Sequence, residues 1–147
     1  KELVKLQENK SMIESVRDYF LECPILKDGH LYIDYLNEKP TDYSIDPLVC
    51  SPIVKKYSDG GSLRRYQFAF MSSEVYSQSE IENMQNSGFY ERLAEWIETQ
   101  NKINNLPAFQ DVEVQSIEVL SPGCLFDAEG TVARYQIQME IQYLKEA

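Results

Sequence analysis

The sequence predicts an α+β fold: one domain in which an antiparallel β-sheet carries its helices packed on one face. Three stretches point to it. In Leu63–Met71 the residues alternate, with Tyr66, Phe68 and Phe70 on one side of a strand and Arg65, Gln67 and Ala69 on the other. Farther on, Phe89, Leu93, Trp96 and Ile97 make one apolar stripe of a helix, with Glu91, Arg92, Glu95 and Glu98 opposite. In Thr131–Leu144, Ala133, Tyr135, Ile137, Met139, Ile141 and Tyr143 share a face, opposed by Arg134, Gln136, Gln138, Glu140 and Gln142. The aromatic strand face and the Trp-bearing helix are expected to close on each other.

The elements follow in order. Residues 1–10 are polar and read as a frayed N-terminal extension or a first helical turn. Ser11 to Glu22 is a helix: Ser11 and Glu14 have capping-box spacing, and Ile13, Val16 and Phe20 form its apolar side with Tyr19. Cys23-Pro24 stops it, because the residue before a proline avoids helical torsions. Lys27-Asp28-Gly29 is a turn, and His30 to Leu36 alternates as a strand with Leu31, Ile33 and Tyr35 on one face.

After the loop Asn37–Pro40, Asp42 to Leu48 is extended with Tyr43 and Ile45 on one side, and Pro47 and Pro52 confine this region to an edge or crossover. Ile53–Tyr57 begins a strand that Ser58-Asp59-Gly60-Gly61 turns back into Leu63–Met71. Ser79 and Glu82 cap a short helix that ends near Asn86, Asn86-Ser87-Gly88 breaks it, and the Phe89 helix follows until Asn104, Asn105 and Pro107. Two strands, Glu113–Leu120 and Thr131–Leu144, close the chain, with a hairpin turn at Asp127-Ala128-Glu129-Gly130.

Composition bounds the function. At 147 residues and 43% hydrophobic, the chain is expected to form a single domain over 1–147 with one core. Its net charge of −10 opposes phosphate backbones and anionic membranes, so nucleic-acid binding is not expected to be its main task. No apolar run of about 18 residues is present, so no membrane span is expected. Cys23, Cys50 and Cys124 are odd in number, widely spaced and without CxxC, which reads as reduced thiols of a cytosolic protein.

Reactive chemistry has few candidates. His30 is the only histidine, and no HxxxH, CxxC or H-E-x-x-H pattern supplies metal partners. No G-x-S-x-G is present, and any Ser- or Cys-based scheme would have to share His30. Asp59-Gly60-Gly61-Ser62 is too short to cradle a phosphate and lacks a following G-K-[ST]. Asp127–Gly130 lacks the alternating oxygen ligands of a calcium loop. No catalytic, metal or cofactor-binding residue is assigned, and no enzyme activity is expected.

Two places suggest contact with a partner. Lys55, Lys56, Arg64 and Arg65 flank the turn that has Asp59 at its tip, a basic cluster in an acidic chain. With Ser58–Gly61 as the loop, Lys55 lies across from Arg64, which is unfavourable unless an anion sits between them. Such a hairpin base fits an acidic surface, either a neighbouring copy or DNA passing nearby; equally, it is a solvated basic edge that discourages sheet aggregation. On the last strand Gln136, Gln138 and Gln142 face either solvent or another subunit.

Several ordered motifs resemble a known family. Ile53-Val54-Lys55-Lys56-Tyr57-Ser58-Asp59-Gly60-Gly61-Ser62-Leu63-Arg64 is followed by Tyr66-x-Phe68-x-Phe70, then Asn86-Ser87-Gly88-Phe89-Tyr90-Glu91 and the Trp96 helix. The run continues with Ile117-Glu118-Val119-Leu120, Gly123-x-Leu125-Phe126-Asp127-Ala128 and Ala133-Arg134-Tyr135-Gln136-Ile137-Gln138. Together, over roughly residues 11 to 144, these are similar to the tail-terminator or "minor capsid" proteins of tailed phages and of prophages in Gram-positive bacteria.

The resemblance implies a structural virion protein of the tail or neck, assembled in the bacterial host cytoplasm and carrying no catalytic residues. It implies a ring, commonly of six subunits, at the head-proximal end of the tail tube. Such a ring ends tube growth and meets the tube protein on one side and a head-completion or connector protein on the other. DNA would pass its lumen without specific binding; six copies of −10 give about −60 there. Another neck or tail-completion protein is the alternative the same resemblance leaves open.

Overall fold

The computed structural model describes residues 11–26, 31–33, 43–75, 80–129 and 132–147. Along these run α1 (Met12–Leu21), β1 (Leu31–Ile33), β2 (Tyr43–Pro47), β3 (Ile53–Lys56), β4 (Ser62–Val75), α2 (Glu80–Lys102), β5 (Glu113–Glu129) and β6 (Val132–Lys145). The expectations for residues 1–10, the Lys27–Gly29 turn, His30, Tyr35, the Asn37–Pro40 loop, Ser79 and Gly130 lie outside the described residues.

The strands form one six-stranded sheet in the order β1-β2-β4-β6-β5, with β3 also on β4. Every pairing is antiparallel except β1 with β2, which run parallel. The fold is therefore α+β, as the periodicities imply. β4 is the backbone of the sheet: β6 pairs with it along its whole length, from Ser62↔Lys145 to Val75↔Val132. On its other side β2 and β3 lie end to end, opposite Phe68–Ser72 and Ser62–Arg64.

The register places Tyr43, Ile45, Phe68, Phe70, Ile137, Met139, Ile141 and Ile117 on one face. All eight are nearly inaccessible, and Val16 and Phe20 of α1 and Phe89, Leu93 and Ile97 of α2 are buried against them. Burying each such side chain contributes about 1.5–3 kcal/mol. The two helices thus share one side of the sheet. The Trp-bearing helix does not close the aromatic face alone: Phe20 stands between them, its ring centroid 5.9 Å from Phe68, 5.3 Å from Phe70 and 6.1 Å from Trp96. Phe89 of α2 stacks on Tyr43 at 5.8 Å.

Local signals explain the helix ends. Ser11 is the N-cap of α1, its hydroxyl accepting from the Glu14 amide at 3.4 Å and donating to the Glu14 carboxylate at 3.0 Å. At the end of α2, Asn104 takes a φ of 56°. Its N–H donates to Asn101 C=O at 3.2 Å and that of Asn105 to Gln100 C=O at 2.9 Å, a Schellman termination with asparagine in place of glycine.

Three expectations need correction. Asn86-Ser87-Gly88 does not break a helix, because α2 runs uninterrupted through it. Glycine costs about 1 kcal/mol inside a helix, which the burial of Phe89, Leu93 and Ile97 on the same helix exceeds. β4 continues past Met71 to Val75 because β6 is long enough to pair with it there. β5 likewise runs on through Glu129, so Asp127 and Ala128, read as turn residues, pair with Arg134 and Ala133. Register shifts between Val114/Ser116, Val119/Ser121, Ser121/Cys124 and Leu125/Asp127 carry the strand past Pro122 and Gly123.

Candidate interaction site

The β3–β4 hairpin turns as its glycines require but with a loop one residue longer than expected. Tyr57 N–H donates to Gly61 C=O at 2.9 Å and Gly60 N–H to Tyr57 C=O at 3.1 Å, with Gly60 at φ 92°. Asp59 closes its own turn by accepting the Gly61 N–H at 2.8 Å. Including Tyr57 in the loop moves the register by one, and a bulge at Val54 compensates: Lys56 opposes Ser62, Lys55 opposes Leu63, and Ile53 opposes Arg64.

Lys55 therefore does not face Arg64, and no anion is needed between them. The four cations divide between the two faces of the sheet. Lys56 and Arg64 share the helix side, where Arg64 Nε donates to Ser62 Oγ at 3.0 Å. Lys55 and Arg65 share the other, where Lys55 Nζ lies 5.5 Å from the centre of the Tyr57 ring and Arg65 lies 3.8 Å from Glu140. Both lysines are exposed.

The face of the sheet away from the helices carries no helix among the described residues. In register across β4, β6 and β5 stand Arg65, Gln142 and Ser116; Gln67, Glu140 and Glu118; Ala69, Gln138 and Ser121; and Met71 and Gln136. Glu140 is the hub. It is only 7% exposed, and its two carboxylate oxygens accept from Gln67 Nε2 and Gln142 Nε2, each at 2.9 Å. Arg65 Nε is buried beside it without a hydrogen-bond partner among the described residues. Gln136 and Gln138 are half-buried on the same face. The strand periodicity placed Glu140 among the glutamines, but its role needed the pairing with Gln67, which is set by chain 73 residues away.

Two open clefts stand out among the described residues. One, of about 360 Å³, lies between α1 and the segment after α2, lined by Ser15, Asp18, Tyr19, Glu22, Asn105 and Leu106 among others. The other, of about 350 Å³, is formed by Asp111, Val112, Glu113, Leu144 and Glu146. Tyr19 donates to Asn105 C=O at 2.9 Å across the floor of the first, and burial pushes its phenol well above the usual range. Burial also pushes the Cys23 thiol up, against hydrogen bonds from the Ile25 and Leu26 backbone. Tyr143 is raised by burial, with Arg64 opposing and Cys50 adding to the shift.

Cys23 and Cys50 are free thiols. The side chain of Cys124 and all of His30 lie outside the described residues. Among the described residues no three His, Cys, Asp or Glu side chains group closely enough to hold a metal ion. No helix among them is long and apolar enough to cross a membrane. No protein-family model matches the chain, and no curated protein matches it in sequence.

Proposed function

We propose that this chain is a structural protein of a phage particle, a tail terminator whose copies form a ring at the head-proximal end of the tail tube. The observation that supports it best is the one-sided architecture. Both helices serve one face of the sheet, and the other face presents Gln136, Gln138 and Gln142 around a buried Glu140. Amide side chains donate and accept at once and are cheaper to desolvate than charges. Such a face suits a permanent protein partner, here the tube protein or the head-completion protein. The protein works by shape and self-association rather than by making or breaking bonds.

Native mass spectrometry and negative-stain images of concentrated protein, alone and with purified tail tubes, test the reading. Rings, or caps on tube ends, are expected, with each subunit contact burying more than about 1,000 Å². A strictly monomeric protein that leaves tube ends uncapped would overturn it.

A further inference from the structure

We propose that neighbouring copies join head to tail, the ridge Val54-Lys55-Lys56-Tyr57 of one copy seating in the cleft between α1 and residues 105–108 of the next. The inference rests on the ring-forming reading and adds which surfaces make the contact.

The distribution of exposed apolar side chains singles out these two surfaces. Among the described residues six large hydrophobics are exposed: Leu21, Val49, Val54, Tyr57, Ile103 and Leu120. Val54 and Tyr57 belong to the ridge, and Val49, wholly exposed, is in the lead into it. Leu21 precedes the cleft residue Glu22, and Ile103 lies just before Asn105 and Leu106. Two of the six thus belong to the ridge, and Leu21, Val49 and Ile103 flank the ridge or the cleft lining in the sequence.

Charge pairs the two surfaces. The ridge carries Lys55 and Lys56, exposed on the two opposite faces of β3, and the cleft carries Asp18 and Glu22. A chain of net charge −10 repels its own copies over most orientations, so approach is favoured where a basic patch leads. The Lys55 ammonium over the Tyr57 ring makes one compact group, apolar and cationic together. The cleft matches it, with the Tyr19 ring and Leu106 in its lining and carboxylates at its edge. None of the described residues lining it comes from β3, so the ridge of a copy does not occupy that copy's own cleft. Two different patches in mutual contact make a heterologous interface, which closes into a ring when the rotation allows.

The test uses the full chain at tube ends and free in solution. Zero-length carbodiimide cross-linking followed by peptide mapping is expected to join Lys55 or Lys56 to Asp18 or Glu22. K55E/K56E and D18K/E22K are each expected to weaken association at least tenfold in sedimentation velocity, and the four changes combined to restore it. Thermal melts verify that each variant folds; where one does not, K55A/K56A and the cross-links on the unaltered chain carry the test. Rings that persist in both reversals, or cross-links that map elsewhere, overturn this contact while leaving the ring reading intact. Monomers that neither cross-link nor cap tubes overturn both.

Discussion

Asn101, in the last turn of α2, holds the backbone of Ile117 on β5 with both ends of its side-chain amide. Its Oδ1 accepts the Ile117 N–H at 2.9 Å and its Nδ2 donates to the Ile117 carbonyl. The amide thereby stands where a neighbouring strand would stand. Among the described strands β5 is the last on its side of the sheet, and at Ile117 its outer edge is already satisfied. Replacing Asn101 with Ala leaves a donor and an acceptor unpaired at a half-buried position. The expected loss is about 1–3 kcal/mol, read as a lower urea midpoint at unchanged m-value. Hydrogen exchange at the Ile117 amide should accelerate selectively; an unchanged midpoint would contradict the role.

Phe20 is the contact through which α1 reaches both the sheet and α2. It is fully buried, and its ring meets Phe68, Phe70 and Trp96. Phe20→Ala is expected to cost about 3–5 kcal/mol. The fluorescence of Trp96, the one tryptophan, should shift to the red in the native state. Leu21→Ala, one residue on and 56% exposed, should stay within about 0.5 kcal/mol of the parent. Equal losses from the two would remove Phe20 from its place in the packing.

Gly123 is held by Tyr90. A Cβ there would lie 2.3 Å from Tyr90 Cγ and 2.4 Å from its Cβ, atoms that cannot swing aside without the helix. The Tyr90 hydroxyl meets Ser72 Oγ and donates to Tyr135 C=O at 3.2 Å, so a displaced ring gives up a buried polar contact as well. Gly123→Ala is expected to destabilise by about 1–3 kcal/mol. Pairing it with Tyr90→Ala should recover part of the loss in a double-mutant cycle, because the clash is with that ring.

Stability should fall in alkali. The fold holds Cys23 as the neutral thiol, its folded value raised by burial. In the unfolded chain a thiol ionises at about 8.5. The unfolded state then releases the proton first and binds fewer protons than the native state, so stability decreases with rising pH. The contribution is complete below that value and is lost as pH rises through the folded one. Tyr19 adds the same dependence at higher pH, since its phenol is also raised. Urea midpoints from pH 7 to 10 should decline in the parent and decline less in Cys23→Ala. In a Cys124→Ser background, a thiol reagent at pH 8 should modify Cys50 well before Cys23, which is 5% exposed.

What was legible in the sequence was what repeats at short range. The alternation of Tyr66, Phe68 and Phe70 and of Tyr135 through Tyr143 named the inner face, and Ser11 and Asn104 marked helix ends where the structure has them. What escaped was set by distant pairing. The Asn86–Gly88 break is a local preference that burial of the following turn overrode. The extension of β5 through Asp127 depends on β6 lying beside it. At the candidate site the basic residues were visible, but one extra residue in the turn redistributed them between faces. Glu140 looked like one polar residue among five until Gln67 and Gln142 were found on it.

The position of β6 has a consequence for synthesis. It is the last strand in chain order among those described, yet it lies between β4 and β5 in space. Until residue 145 has cleared the ribosome, β5 has nothing to pair with on its inner side and β4 lacks its longest partner. A nascent chain released early would hold β5 unpaired and one edge of β4 open, with Phe68, Phe70 and Ile117 less covered from water, which makes it a substrate for chaperones. Completion of the sheet therefore waits for β6: a chain that stops short of it can pair β2 and β3 with β4 but lacks the strand that joins β4 to β5.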